Sequence, residues 1–357
     1  MSAPISAERL ASWFGEQLPG ASNVAVTDLS RPADGASAEM ILATITWQAA
    51  GEERFEDVVL RARPNPPCLI EPYDLAKQFD ILRRLEPTDV LSPRALWIEP
   101  TGDVIGREFF VMNRLPGSVY EMGPPTGTSP EQVNRMCHSM IEQLAAIHNV
   151  DIQARGLHDI DGGGVEHLSR EVAHWRSEID RVERGRFPAL QRLAEALLDL
   201  QPPPSERVAL VHGDPKPGNI AFTGDTVSGM FDWEMATVGD PLTDVGWIEM
   251  TWMPWVYTPG APTMDVLLTR YEQLTGIPVR NRTWYCALAK FKLAVILLVG
   301  GALLGSGHSN DILVSDAAAL IHPMTTNALE ELGVEEVPES GPVLPDPERV
   351  RVIREAR

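Results

Sequence analysis

The spacing of hydrophobic positions changes several times along the chain, and each change marks an element. Leu10, Trp13, Phe14 and Leu18 recur at helical spacing, and Gly20 ends the run. The period then shortens: 23–29, 40–47 and 56–62 are predicted strands, joined by the turn-rich segment 31–37 and by a tight turn at 49–53. Three such strands make an antiparallel sheet. Helical spacing returns over 73–85, and the apolar run 108–115 (EFFVMNRL) is a strand stopped by Pro116-Gly117. Helices dominate from Ser129 onward. Ser129 is an N-cap, Pro130 suits the first helical position, and Gln132 completes a capping box. Val133, Met136, Cys137, Met140, Ile141, Leu144 and Ile147 then form a wide apolar face, so this helix is core, and His148 at its end is a structural histidine. Leu168, Val172, Trp175 and Ile179 mark a second helix and 188–200 a third. The prolines at 202–204 stiffen the entry to a short apolar run at 208–211. Helices at 264–275, 283–304 and 316–332 follow, with a peripheral tail from Val334. The expected class is α+β, with a small antiparallel sheet over 1–115 and a larger, mainly helical part over 116–357.

Composition narrows the partners. At 357 residues the chain is long enough for about two domains. Fifty acidic against thirty basic residues give a net charge of −20. Nucleic acid is excluded as a partner, since phosphate-backbone binding needs a concentrated basic face. The same charge suits a cationic small substrate. Cys68, Cys137 and Cys286 are odd in number and far apart, which points to a reducing compartment and to neither a disulfide framework nor a zinc site. The first twenty residues lack a basic region followed by an apolar run, and the most apolar segment, 293–304, is too short to span a bilayer. A cytoplasmic protein without membrane attachment is expected, and oligomeric state leaves no signature.

Candidate chemistry is concentrated in 210–244, LVHGDPKPGNIAFTGDTVSGMFDWEMATVGDPLTD. A buried strand leads into the turn His212-Gly213-Asp214. Asn219 follows, and Asp232 stands behind a second apolar run at 230–231. Gly224-Asp225 between the runs is a hairpin signal that returns Asp232 to the side of Asn219. One carboxylate on a tight loop near an amide oxygen and a second carboxylate is the set phosphoryl transfer needs. The first orients and deprotonates a hydroxyl, and hard oxygen ligands hold Mg²⁺. Asp214 is the expected base, and Asn219 and Asp232 the expected metal ligands.

H-G-D-x4-N followed by D-W-E and G-D-P-x-x-D resembles the aminoglycoside phosphotransferase and choline-kinase-like group, whose fold is protein-kinase-like and bilobal. The resemblance extends over 23–332, with its specific residues in 210–244. It implies Mg-ATP as cofactor, with GTP as the alternative, and a small hydroxylated acceptor. Two G-A-S triplets, at 20–22 and 35–37, compete for the loop that covers the phosphates. Gly35 and Ser37 are chosen because that loop must join the first two strands. Arg61 stands where protein kinases carry the phosphate-binding lysine. Gln78 occupies the place of the partner glutamate, leaving Asp74 or Glu71 as substitutes. The strand at 108–115 resembles the hinge that binds adenine, with the Asn113 carbonyl as acceptor, the Leu115 N–H as donor and Met112 lining the base. Asp240 and Asp244 resemble the element that braces the catalytic loop. Glu234 is divided evenly between a metal or acceptor contact and packing. Trp247, Trp252, Trp255 and Tyr257 with Glu249 form either an acceptor wall or buried packing. Two rival readings are a nucleotide-binding pseudo-kinase, suggested by Arg61 and Gln78, and a metal-dependent hydrolase built on His212, Asp214, Asp232 and Glu234.

Overall fold

The computed structural model describes residues 5–31, 39–162, 166–183, 187–306 and 318–335. The chain divides into two units, Met1–Pro116 and Gly117–Arg357.

The first unit opens with helix α1 (Ala7–Gln17), capped by the Ser6 hydroxyl, which accepts from the Arg9 N–H. Strands β1 (Ser22–Ser30), β2 (Glu39–Ala49) and β3 (Glu52–Ala62) follow. Helix α2 (Leu75–Leu85) precedes β4 (Ala95–Glu99) and β5 (Phe109–Asn113). The sheet is antiparallel in the order β1-β2-β3-β5-β4. Its core face gathers Ile41, Ala43 and Ile45 of β2, Val58 and Leu60 of β3, and Phe109 and Val111 of β5, closed by Leu10 and Phe14 of α1. The alternation along β2 is the period of two that a half-buried strand demands, whereas β5 is buried on both faces from Phe109 to Met112. β4 was not anticipated: its five residues sit between Pro93 and Pro100, where turn signals mask a short apolar run.

The second unit contains β6 (Ser118–Val119), α3 (Pro130–His148), α4 (His167–Glu183), α5 (Pro188–Asp199), β7 (Ala209–Val211), β8 (Ile220–Thr223), β9 (Thr226–Met230) and β10 (Thr237–Gly239). Helices α6 (Leu242–Thr251), α7 (Met253–Val256), α8 (Met264–Thr275), α9 (Arg282–Ser306) and α10 (Ile321–Glu331) complete it. The capping box of α3 forms as expected: the Ser129 hydroxyl accepts from the Gln132 N–H and the Gln132 side chain from the Ser129 N–H. Two small antiparallel ribbons, β7 with β10 and β6-β8-β9, carry the 210–244 stretch. The apolar segment 293–304 is only part of α9, so one expectation is corrected. The run over Arg282–Leu304 is long and apolar enough to cross a membrane, and 72% of its most apolar window is buried within the protein. A helix that is apolar nearly all round and covered by its neighbours is a core helix.

Candidate active site

β7 is buried throughout and ends at Val211, so the chain must turn sharply to reach the surface. Gly213 makes the turn possible. Its φ is +86°, and a Cβ there would lie 2.4 Å from the Met235 carbonyl oxygen. Only glycine fits. The turn is then clamped from α6: Asp244 accepts from the His212 N–H at 2.8 Å and the Gly213 N–H at 2.9 Å. His212 accepts from the Asp214 N–H through Nδ1 and bonds the Phe231 carbonyl through Nε2 at 2.8 Å. These partners fix the tautomer with the proton on Nε2. Both ring nitrogens are engaged, so His212 is no metal ligand. Among the described residues no group of three or more His, Cys, Asp and Glu side chains could hold a metal ion.

Asp214 is 8% exposed and surrounded by donors. Trp247 Nε1 donates to its Oδ1 at 2.7 Å, and Asn219 Nδ2 donates to its Oδ2 at 3.0 Å and to its backbone carbonyl at 2.9 Å. Lys216 Nζ lies 3.2 Å from Oδ2. Lys216 is the residue that the motif spacing did not single out. The charge of Asp214 raises its pKa above the ordinary lysine value; burial opposes this, and Asp232 and Glu121 add to the rise. A cation facing three carboxylates stays charged.

Asn219 closes a short 3-10 turn over Pro217–Asn219. Because its amide nitrogen is committed twice to Asp214, its oxygen is the atom left to face a ligand. The Phe231 N–H donates to the Asn219 carbonyl at 2.8 Å, and Ile220 pairs with Met230. The hairpin therefore brings Asp232 beside Asn219, as Gly224-Asp225 suggested: Thr223 pairs with Thr226 across that turn. Asp232 is left-handed (φ 61°, ψ 65°), a conformation Asp tolerates better than most side chains and one that recurs at functional sites. An amide oxygen and a carboxylate are hard donors, so this pair fits Mg²⁺. Glu234 lies half-buried in the turn Trp233–Met235 that follows.

The aromatic cluster resolves into support. Trp247, Trp252 and Trp255 are buried, and their indole N–H groups donate to Asp214, to the Pro215 carbonyl and to the Tyr120 carbonyl. Tyr257 alone is exposed, at 77%. Glu249 is paired with Arg282. Asp240 is a brace as well, accepting from the Ser205 and Leu242 N–H groups and the Tyr285 hydroxyl.

In the first unit Arg61 is buried and pairs with Phe110 across the β3–β5 ladder, and its Nε donates to the Tyr73 hydroxyl at 3.2 Å. Asp74 caps α2 by accepting from the Lys77 N–H. Glu71 accepts from the Cys68 and Tyr73 N–H groups, and Gln78 is buried. Met112 is buried on β5 opposite Val59. The Asn113 N–H donates to the Arg94 carbonyl and its side chain accepts from the Arg94 N–H; Leu115 lies just past the strand, partly buried. Gly35 and Ser37 fall outside the described residues.

The chain is similar to known proteins of this architecture. A candidate aminoglycoside phosphotransferase from Ralstonia eutropha JMP134 superposes with a TM-score of 0.73 at 25% identity, covering 92% of this chain and 99% of that one. A thermostable variant of the aminoglycoside phosphotransferase APH(4)-Ia, solved with ADP and hygromycin B, has a TM-score of 0.57 at 16% identity over 92% and 99%. The fold is thus that of the kinase-like aminoglycoside phosphotransferases. A mouse protein, acyl-CoA dehydrogenase family member 10, is 29% identical over 260 residues, 67% of this chain. The chain spans 24% of that relative's own length. The profile of the phosphotransferase enzyme family (APH) matches residues 29–283, well over half the sequence, and the chain belongs to that family.

Proposed function

We propose that the protein transfers the γ-phosphate of ATP, with GTP as the alternative, to a hydroxyl group of a small molecule. The carrying observation is the set of donors on Asp214. A carboxylate offers about four lone pairs. Asn219 and Lys216 occupy both on Oδ2, and Trp247 takes one on Oδ1. One acceptor position on Oδ1 is left, and the incoming hydroxyl donates its proton there. The side chain is held by the buried Trp247 and Asn219, so its aim costs no reorganisation when the acceptor arrives.

Asn219 and Asp232 would hold Mg²⁺, which when bound neutralises charge on the nucleotide phosphates. Lys216 adds a positive charge within reach of the group being transferred, where negative charge gathers. Arg61, with Gly35 and Ser37, steadies phosphate oxygens, and the backbone of Asn113 and Leu115 beside Met112 receives the base. The net charge of −20 favours a cationic acceptor. Cys68, Cys137 and Cys286, odd in number and far apart in sequence, support a cytoplasmic location.

The test is Asp214→Ala, assayed by ADP release across hydroxylated metabolites and aminoglycosides, with nucleotide binding measured in parallel. Transfer should fall by at least about a thousandfold while nucleotide affinity stays within about threefold. Wild-type turnover in the variant removes Asp214 from the mechanism. Nucleotide binding by the native protein without turnover on any acceptor would make it a binding module.

A further inference from the structure

Behind the indole that grips Asp214 lies a buried ion pair. Lys292, on α9 and 3% exposed, places its ammonium 5.2 Å from the ring centroid of Trp247 and 6.0 Å from that of Trp175. Its counter-ion is Glu171 of α4, with Nζ to Oε1 at 2.5 Å. Burial alone would raise the Glu171 pKa, but Lys292 and then His167 outweigh it and hold the carboxyl below the usual range. Glu171 Oε2 is buried without a hydrogen-bond partner, 4.0 Å from His167 Nε2. A buried ion pair is a poor stabiliser: apolar residues of similar volume generally do as well or better. An orphaned carboxylate oxygen makes this one poorer still. Something other than stability therefore accounts for a lysine at this position.

We infer that Lys292 and Trp247 act together as positioning residues for Asp214, an inference that rests on the phosphotransfer reading. A cation over an indole face attracts π density and leaves the ring N–H a stronger donor. That N–H makes a short, charge-assisted bond to Asp214 Oδ1 at 2.7 Å. The oxygen so held is the one with the remaining position for the acceptor hydroxyl. Glu171 keeps the ammonium under the ring and balances its charge. The pair thus joins α4 and α9 to the catalytic carboxylate through one indole on α6.

The experiment replaces the pair as a unit, Lys292→Met with Glu171→Leu, so that no lone charge stays buried. The indole 1H–15N signal of Trp247 is identified by its loss in Trp247→Phe and followed in the full chain. It should move upfield in the double variant as the hydrogen bond weakens. With the best acceptor, kcat should fall about tenfold, and KM for nucleotide should hold within about twofold. Trp247→Phe, an independent arm if the double variant does not fold, should lower kcat about 10- to 100-fold with the same unchanged KM. An unmoved indole signal, or wild-type kcat in either variant, overturns the inference. A native protein inactive on every acceptor would defeat the phosphotransfer reading instead, and the indole signal would still decide whether Lys292 acts on Trp247.

Discussion

Asp244 accepts from the backbone of His212 and Gly213 and from His148 Nε2 at 3.1 Å, all within a buried setting. His148 Nδ1 in turn accepts from the Tyr271 hydroxyl at 2.6 Å, whose proton burial retains. Burial by itself would raise the Asp244 pKa. The His148 hydrogen bond and the His212 N–H outweigh it and hold the carboxyl below its ordinary 3.8. A folded value lower than the unfolded one adds stability above pH 3.8, lost as pH falls through the folded value. Asp244→Asn should therefore destabilise the protein by about 3 kcal/mol at neutral pH, measured by urea unfolding. Its deficit against wild type should shrink below pH 3.8. At this scale the sequence named Asp214, Asn219, Asp232 and the bracing role of Asp240 and Asp244, because each lies at a fixed offset within one stretch. Lys216 passed unnoticed though it sits between Asp214 and Asn219. A lysine beside prolines looks like any solvated loop residue until three carboxylates are seen to face it.

Elements show a different division. The strands β1 to β3, the capping box of α3 and the β8–β9 hairpin follow from period and turn chemistry, which act between near neighbours. β4 and β6 escaped prediction because five and two residues give no usable period. α9 was predicted close to its observed extent, but its apolar run was underestimated because Lys290 and Lys292 interrupt it, although Lys292 is buried against Glu171. The turn that carries Asp214 depends on Gly213. Gly213→Ala must place a Cβ 2.4 Å from the Met235 carbonyl at φ +86°, so the turn at 213 and the turn Trp233–Met235 cannot both keep their places. The expected outcome is a loss of about 1–3 kcal/mol in thermal unfolding, with phosphotransfer falling further than stability does. Transfer at the wild-type rate would show that the turn can be re-formed around a side chain.

For the whole molecule, binding is expected to show as stability. Mg-ATP at about one hundred times its dissociation constant should add about 2.7 kcal/mol to unfolding free energy, raising the melting temperature. EDTA should abolish most of that rise if Asn219 and Asp232 hold the ion. A rise that survives chelation would place nucleotide affinity in the residues of the first unit alone. The net charge of −20 adds a second signature: kcat/KM for a cationic acceptor should drop as salt rises, while that for a neutral acceptor should not.

The sequence alone determined the α+β class, the family resemblance and the spacing of Asp214, Asn219 and Asp232. All of these are carried by neighbours in the chain or by a single hairpin. Tertiary structure alone decided which donors meet Asp214 and what stands behind them. Trp247 reaches it across 33 positions, and Lys292 meets Glu171 from a helix far along the chain. Contacts between distant positions depend on how helices pack, and packing leaves no period in the sequence from which to read them.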